Sequence, residues 1–217
     1  MQGYLETLLM KEDSLTHEKR RSYLEVAARQ SEHLATLISE LFELAKLDFR
    51  GYEITAEPLH LGELAQDVLQ KFQLDAEKKQ VALQGDIHPE VDFVRADIGL
   101  MERALENLLE NALKHTRPGD AISLAVLPEN GRVMVRVSDT GSGIPEQHLP
   151  HIFERFYRVD KARTSSVGGA GLGLAIVKRI LDLHGSEIAV ESTLKSGTTF
   201  SFALPTAASG AIGSVAV

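Results

Sequence analysis

Residues 103–116 read Arg-Ala-Leu-Glu-Asn-Leu-Leu-Glu-Asn-Ala-Leu-Lys-His-Thr, and the periodicity of this stretch decides the fold. At about 100° per residue, Met101, Leu105, Leu108, Leu109, Ala112 and Leu113 share one arc, the pattern of a helix laid on a core. Arg103, Asn107, Glu110, Asn111 and Lys114 share the opposite arc. Asn is a mediocre helix former, so two of them at i and i+4 in mid-helix need a reason. Amide oxygens suit a hard cation and an ammonium suits phosphate. A solvated helix face is the other reading of the same residues.

The composition around this helix is that of a soluble globular chain. Its 217 residues allow one large or two small domains. Hydrophobic residues make up 43% and charged residues 25%, while aromatics are only 6% without any Trp, so the core is aliphatic. A formal charge of −8 argues against non-specific nucleic-acid binding and against adsorption to an anionic membrane. The absence of Cys excludes disulfides, thiolate metal sites and cysteine nucleophiles. No apolar run reaches the roughly 18–20 residues of a membrane span, and no signal-peptide pattern opens the sequence. The chain therefore reads as a soluble piece without direct membrane contact.

Upstream, Gly3–Lys11 reads as a short helix, Glu12–Thr16 as a polar break, and Glu18–Asp48 as a long helix free of Gly and Pro. Leu34, Leu37, Ile38, Leu41, Phe42, Leu44 and Ala45 cover nearly half of its circumference, wider than a two-stranded coiled-coil seam. This width suits a helical hairpin that forms half of a four-helix bundle, which implies a homodimer through the hairpin. A lone hairpin leaning on the second domain is the alternative. Composition changes near Arg50-Gly51, giving an expected hairpin domain over 1–50, a second domain over 51–205, and a disordered tail over 206–217.

The second domain reads as helices against a mixed sheet, an α+β organisation without repeats. Tyr52–Glu57 is extended, Leu61–Lys79 is an amphipathic helix, and Val81–Ile87 and Val91–Arg95 are strands on either side of His88-Pro89. Asp97 is placed to cap the helix that follows. Downstream, Ile122, Leu124, Val126 and then Val133, Val135, Val137 alternate around Asn130-Gly131, a strong hairpin signal. Glu146–Phe153 is expected to be a short helix and Arg158–Gly168 a mobile loop. Leu172–His184 is a helix closed by Gly185, and Ile188–Val190 with Thr198–Leu204 form a last strand pair.

Three glycine-bearing segments lie in this domain: Asp139–Pro145, Gly168–Leu174 and Lys195–Phe200. Glycines before a helix point to backbone N–H groups facing an anion, commonly phosphate. A P-loop needs a Gly-Lys pair, and none exists here. A dinucleotide fingerprint starting at Gly169 needs a small residue where Leu174 stands, and a strand where the chain offers a loop.

The set of motifs resembles the sensor histidine kinases. Asn107–Thr116 is similar to their N box, Asp139-x-Gly141-x-Gly143 to the G1 box and Phe153–Arg158 to the F box. Gly169-x-Gly171-Leu-Gly173-Leu is similar to the G2 box, and Gly197-Thr198-Thr199 to the trailing Gly-Thr element. Each is weak alone; five in order, over residues 55–205, are strong. The resemblance implies an α/β sandwich of the Bergerat type, shared with DNA gyrase, the MutL proteins and the ninety-kilodalton heat-shock chaperones.

It also implies the site. Asn111 would bind Mg²⁺ through its amide oxygen, with Asn107 beside it, and Asp139 would accept a hydrogen bond from the adenine amino group of ATP or ADP. Gly141 and Gly143 would let the backbone pass close to the base, with Ile144, Tyr157, Leu172, Leu174 and Thr198 lining the nucleotide. Lys114 and Arg158 would meet phosphate charge. Gly169, Gly171 and Gly173 would let the lid, residues 158–168, fold over the phosphates. His115 stands where the family often has an aromatic residue, and would stack on the base or simply be a solvated helix end.

The implied activity is transfer of the γ-phosphoryl of Mg-ATP to a histidine and then to an Asp of a response-regulator receiver domain. The implied setting is the cytoplasmic portion of a membrane-anchored bacterial sensor. The family's acceptor motif, His-Glu-Leu-Arg-Thr-Pro, does not occur in the sequence, and His17-Glu18 lacks its Thr-Pro. His148 and His151 do not have zinc-ligand spacing. Two rival readings are a hydrolytic ATPase of the gyrase or chaperone kind and a nucleotide-binding scaffold without catalysis. The first would need a Glu where Asn107 stands; the second would need broken motifs, and all are filled. The chain is thus expected not to label itself from radiolabelled ATP, while labelling an added acceptor domain. Acid-labile label on the purified chain alone would contradict this.

Overall fold

A computed structural model describes residues 16–159 and 171–207. The expected helix Gly3–Lys11, most of the loop 158–168, Gly169 and tail residues 208–217 lie outside the described residues. The chain divides into two compact units, Met1–Ala45 and Lys46–Val217.

Helix α1, His17–Leu47, supplies the described part of the first unit. It starts one residue earlier than the apolar periodicity implies, with His17 exposed as its first residue. Leu34, Ile38 and Leu41 are exposed and Phe42 is 72% exposed, so much of the apolar stripe is open, while Leu37 is half-buried and Leu44 buried.

The second unit begins with a two-stranded ribbon, β1 (Glu57–Leu59) antiparallel to β3 (Val94–Ala96). The main sheet has the order β2-β4-β5-β7-β6, from β2 (Ala82–Ile87), β4 (Ala121–Glu129), β5 (Arg132–Asp139), β6 (Ile188–Thr193) and β7 (Gly197–Pro205). Only β2 and β4 run parallel. Helices α2 (Leu61–Lys79), α3 (Ile98–His115) and α4 (Gly173–Leu183) cover one face. The result is an α/β sandwich, as the resemblance implies.

Cross-strand register stacks the core in rows. Leu124, Val137 and Phe200 form one row, and Val126, Val135 and Phe202 the next, all buried. Met101, Leu105, Leu108 and Leu109 of α3 are each at most 1% exposed against them. Burial of such a side chain contributes about 1.5–3 kcal/mol. On the opposite sheet face Ser138 and Thr199 share a hydroxyl hydrogen bond at 2.9 Å.

Turn chemistry follows the residues. Asn130 and Gly131 both take positive φ, 50° and 72°, as a tight β4–β5 hairpin requires. The strands on either side of His88-Pro89 lie in different sheets: β2 joins β4, with His88 N–H extending that ladder to Val126 O at 2.9 Å, and β3, at Val94–Ala96 rather than the expected Val91–Arg95, joins β1. Pro89 has no N–H with which to close a hairpin ladder. Glu146–Phe153 is a 3₁₀ turn, Glu146–His151, because Pro150 inside it cannot donate an α-helical bond. No helix among the described residues is long and apolar enough to cross a membrane.

Asp97 caps α3 and also ties it to the chain at Thr55. Its Oδ1 accepts from Leu100 N–H and its Oδ2 from Thr55 N–H, both at 3.1 Å. Asp97→Ala should lower unfolding free energy by about 1–2 kcal/mol, read as a lower urea midpoint at unchanged slope. An unshifted midpoint would contradict the capping role.

Candidate functional site

The site grows from the end of β5. Asp139 closes that strand opposite Ile122 and Thr198, and its side chain is only 8% exposed. Burial pushes the carboxyl above its ordinary range, and Asp120 adds to the push. Backbone N–H groups of Gly141 (2.8 Å) and Thr198 pull the other way. An acid held in this manner has acceptor capacity in a poorly solvated place.

The loop after Asp139 is sewn to three elements. Ser142 N–H donates to His115 O at the end of α3 (3.1 Å), Lys195 N–H donates to Ser142 O (2.7 Å), and Ile144 N–H donates to Ser192 Oγ (2.8 Å). A Cβ on Gly141 would stand 2.4 Å from His115 O, and one on Gly143, at φ +65°, 2.1 Å from Thr193 O. The protein's own backbone is thus a sufficient reason for glycine at both positions. Thr198 is buried, with its hydroxyl 2.9 Å from that of Ser192. Ser192 therefore ties Ile144 and Thr198 together. No sequence signal marks it, since a lone Ser in a strand looks like any solvent-facing position.

Helix α3 does not present one uniform polar face. Asn107 is 4% exposed: its Nδ2 donates to Arg103 O at 2.9 Å, and its Oδ1 lies 2.9 Å from where a Cβ on Gly173 would stand. The arc that periodicity alone leaves open is closed there by the start of α4. Asn111, one turn on, is half-buried, and Lys114 and His115 are exposed. Lys114, with Glu110 and Leu113, lines a groove of about 490 Å³ shared with Lys71, Phe72, Asp75 and Lys79 of α2. That groove is on the α2 flank, away from the β5 loop. Glu110, which had no role in the sequence, has its carboxyl pushed up mainly by burial there.

On the other flank, Tyr157 and Gly171 are stitched together. Phe156 N–H donates to Gly171 O at 2.9 Å with Phe156 at φ 62°, and a Cβ on Gly171 would meet Tyr157 O at 2.7 Å. The Tyr157 hydroxyl shares a 2.7 Å hydrogen bond with His148 Nδ1, while His151 Nδ1 pairs with Glu154, so both imidazoles have local partners. Arg158 is half-buried. Leu172 is fully buried and precedes α4 without any side-chain cap, and Leu174 is half-buried in the first turn. Among the described residues no side-chain cap accepts from the first N–H groups of α4. Asp139, Gly141, Gly143, Ile144, Thr198 and His115 form one group, Asn107 and Gly173 a second, and Tyr157 and Gly171 a third.

The family profile described as "Histidine kinase-, DNA gyrase B-, and HSP90-like ATPase" matches residues 96–208. The chain belongs to this ATPase family. Its relatives include the circadian input-output histidine kinase CikA of Synechococcus elongatus, 35% identical over 190 residues, which cover 87% of this chain and 25% of CikA. Sensor protein SrrB of Staphylococcus aureus is 33% identical over 207 residues, 94% of this chain and 35% of SrrB. The chain thus spans about a quarter to a third of these relatives' length. Among solved structures, full-length ShkA in complex with AMPPNP superposes with a TM-score of 0.75 at 29% identity, over 91% of this chain and 41% of that one. Catalytic regions of sensor histidine kinases share both its fold and its sequence.

The raised carboxyl of Asp139 fixes a sign for pH dependence. A carboxyl that binds its proton more tightly when folded contributes stability that is complete below its unfolded pKa of about 3.9. That contribution is lost as pH rises through the folded value. Asp139→Asn removes the titration, so without nucleotide the variant should gain stability relative to wild type as pH rises from about 4 toward about 7. Thermal melting across that range checks this; a relative loss on going to neutral pH would contradict it.

Proposed function

We propose that the chain is the ATP-binding catalytic region of a sensor histidine kinase. It would bind Mg-ATP and Mg-ADP between the end of α3, the β5 loop and the start of α4. The γ-phosphoryl of ATP would pass to a histidine and on to an Asp of a response-regulator receiver domain. The observation that carries this reading is the buried Asp139 carboxylate, held by two backbone N–H groups at the mouth of the β5 loop. Such an acceptor suits the adenine amino group and disfavours guanine, which presents a carbonyl there.

The rest of the donor set fits a magnesium nucleotide. The uncapped start of α4, from Gly173 and Leu174, offers backbone N–H groups to phosphate. Asn111 offers a neutral amide oxygen one turn beyond the α3–α4 contact. Among the described residues no cluster of three or more acidic or imidazole ligands gathers, which fits an ion that takes most of its ligands from phosphates and water. Bound Mg²⁺ would neutralise phosphate charge. Lys114 and Arg158 would add positive charge, while Ile144, Leu172, Tyr157, His115 and Thr198 would shape the walls. AMPPNP in the related ShkA structure supports a nucleotide at this fold.

Asn107 favours phosphoryl transfer over hydrolysis. Four residues before Asn111, a water-activating carboxylate would be needed, and Asn107 is an amide whose Nδ2 is committed to Arg103 O. The open stripe of Leu34, Ile38, Leu41 and Phe42 on α1 favours a second copy of the chain as the bundle partner. The setting that fits is the cytoplasmic side of a membrane-anchored bacterial sensor.

Calorimetry with ADP and Mg²⁺ tests the site. Asp139→Asn should weaken binding by about tenfold or more, the scale of a hydrogen bond to a charged group. Asn111→Ala should abolish the gain in affinity that Mg²⁺ gives. Unchanged binding in both variants would overturn the assignment.

A further inference from the structure

Two backbone groups with fixed roles meet the imidazole of His184, the C-cap of α4. Asp97 N–H lies 3.0 Å from Nε2, and Ile180 O lies 2.7 Å from Nδ1. A backbone N–H can only donate and a carbonyl can only accept. Nε2 must therefore be the bare nitrogen and Nδ1 must carry the proton. Most histidines leave the tautomer open; these partners leave no choice.

This ring joins the end of α4 to the start of α3. Asp97 is the residue whose carboxylate caps α3, so the same residue is held from its backbone by His184 and from its side chain by the α3 N-terminus. At the other end of the pair, Gly173 opens α4 against Asn107 of α3. From Asp97 to Asn107 is about 15 Å of helix, and from His184 back to Gly173 about 16 Å, at 1.5 Å per residue. The two helices thus run antiparallel with matched spans and are fixed at both ends. At one end the fixture is a close approach of Gly173 to an amide oxygen. At the other it is a hydrogen bond through His184.

We propose that His184 is a positioning residue: as the neutral Nδ1–H imidazole it sets the register of α4 along α3, and so places the opening of α4 relative to Asn107 and Asn111. The proposal rests on the nucleotide reading of that opening. Packed interiors transmit a shift at one end of a helix to the other, so loss of the His184 contact moves the N–H groups of Gly173 and Leu174 against the phosphates. An imidazolium would set Nε2–H against Asp97 N–H, donor against donor, so protonation removes the contact without any mutation. The Asp97 carboxylate accepts from Leu100 and Thr55, Asp182 pairs with Lys178, and Arg95 donates to Ala56 O.

The test is Mg-ADP binding to the full chain by calorimetry, below the melting temperature of each variant. His184→Ala should raise Kd by about tenfold or more, as expected for misplacement remote from the contact atoms. His184→Gln keeps an acceptor for Asp97 N–H and should stay within about threefold of wild type. His184→Phe keeps a ring of similar bulk but offers no acceptor to Asp97 N–H, and should raise Kd by about tenfold or more. Wild-type affinity in a folded Ala variant, or a Gln variant as weak as Ala, would overturn the proposal. Should Ala not fold, wild-type affinity in His184→Phe overturns it and a loss of about tenfold supports it. Absence of ADP binding by the wild type overturns the nucleotide reading itself, and this proposal with it.

Discussion

Helix α3 is buried on two sides, and the second unit depends on that double burial. Its apolar arc lies on the sheet through Met101, Leu105, Leu108 and Leu109, which pins the helix against β4 and β5. Asn107 is closed in under the start of α4, where an amide is tolerable only because Arg103 O accepts its proton. Between these two contacts the helix has little freedom to rotate. Asn111, Lys114 and His115 then follow at positions set by the helical repeat, and His115 O is available to hold the β5 loop.

The loop that carries Asp139 inherits its shape from backbone contacts rather than from side-chain packing. Close approaches at Gly141, Gly143 and Gly197 exclude any Cβ, so the chain returns past the end of β5 at backbone-to-backbone distance. That crowding keeps water away from Asp139 and raises its carboxyl, while two N–H groups keep the ionised form accessible. A buried acid of this kind destabilises the empty fold slightly, and a ligand that donates a hydrogen bond to it recovers the loss. Function and stability therefore pull in opposite directions at one residue.

Much of this was legible in the residues. Leu61–Lys79, the Asn130-Gly131 hairpin, the cap at Asp97 and the last strand pair follow from periodicity and turn chemistry, which are local. The partner of β2 was not legible, because a parallel pairing with β4 some forty residues away leaves no local mark. The burial of Asn107 under α4 was not legible, because a helical wheel shows where a side chain points and not which second helix covers it. Ser192 and His184 are invisible for the same reason: each is a single polar residue whose partners come from elsewhere in the chain. The motif residues themselves were placed by resemblance, and the structure adds the backbone contacts that make several of them glycine.

Two places compete for a nucleotide: the region between Asn111, the β5 loop and Leu172–Leu174, and the charged groove between α2 and α3. Backbone amide shifts recorded while Mg-ADP is titrated into the labelled chain separate them directly. The account predicts the largest shifts at Asn111–His115, Asp139–Ile144 and Leu172–Leu174, with Phe72, Asp75 and Lys79 little changed. Shifts concentrated at Phe72, Asp75 and Lys79, with Asp139–Ile144 unmoved, would contradict it.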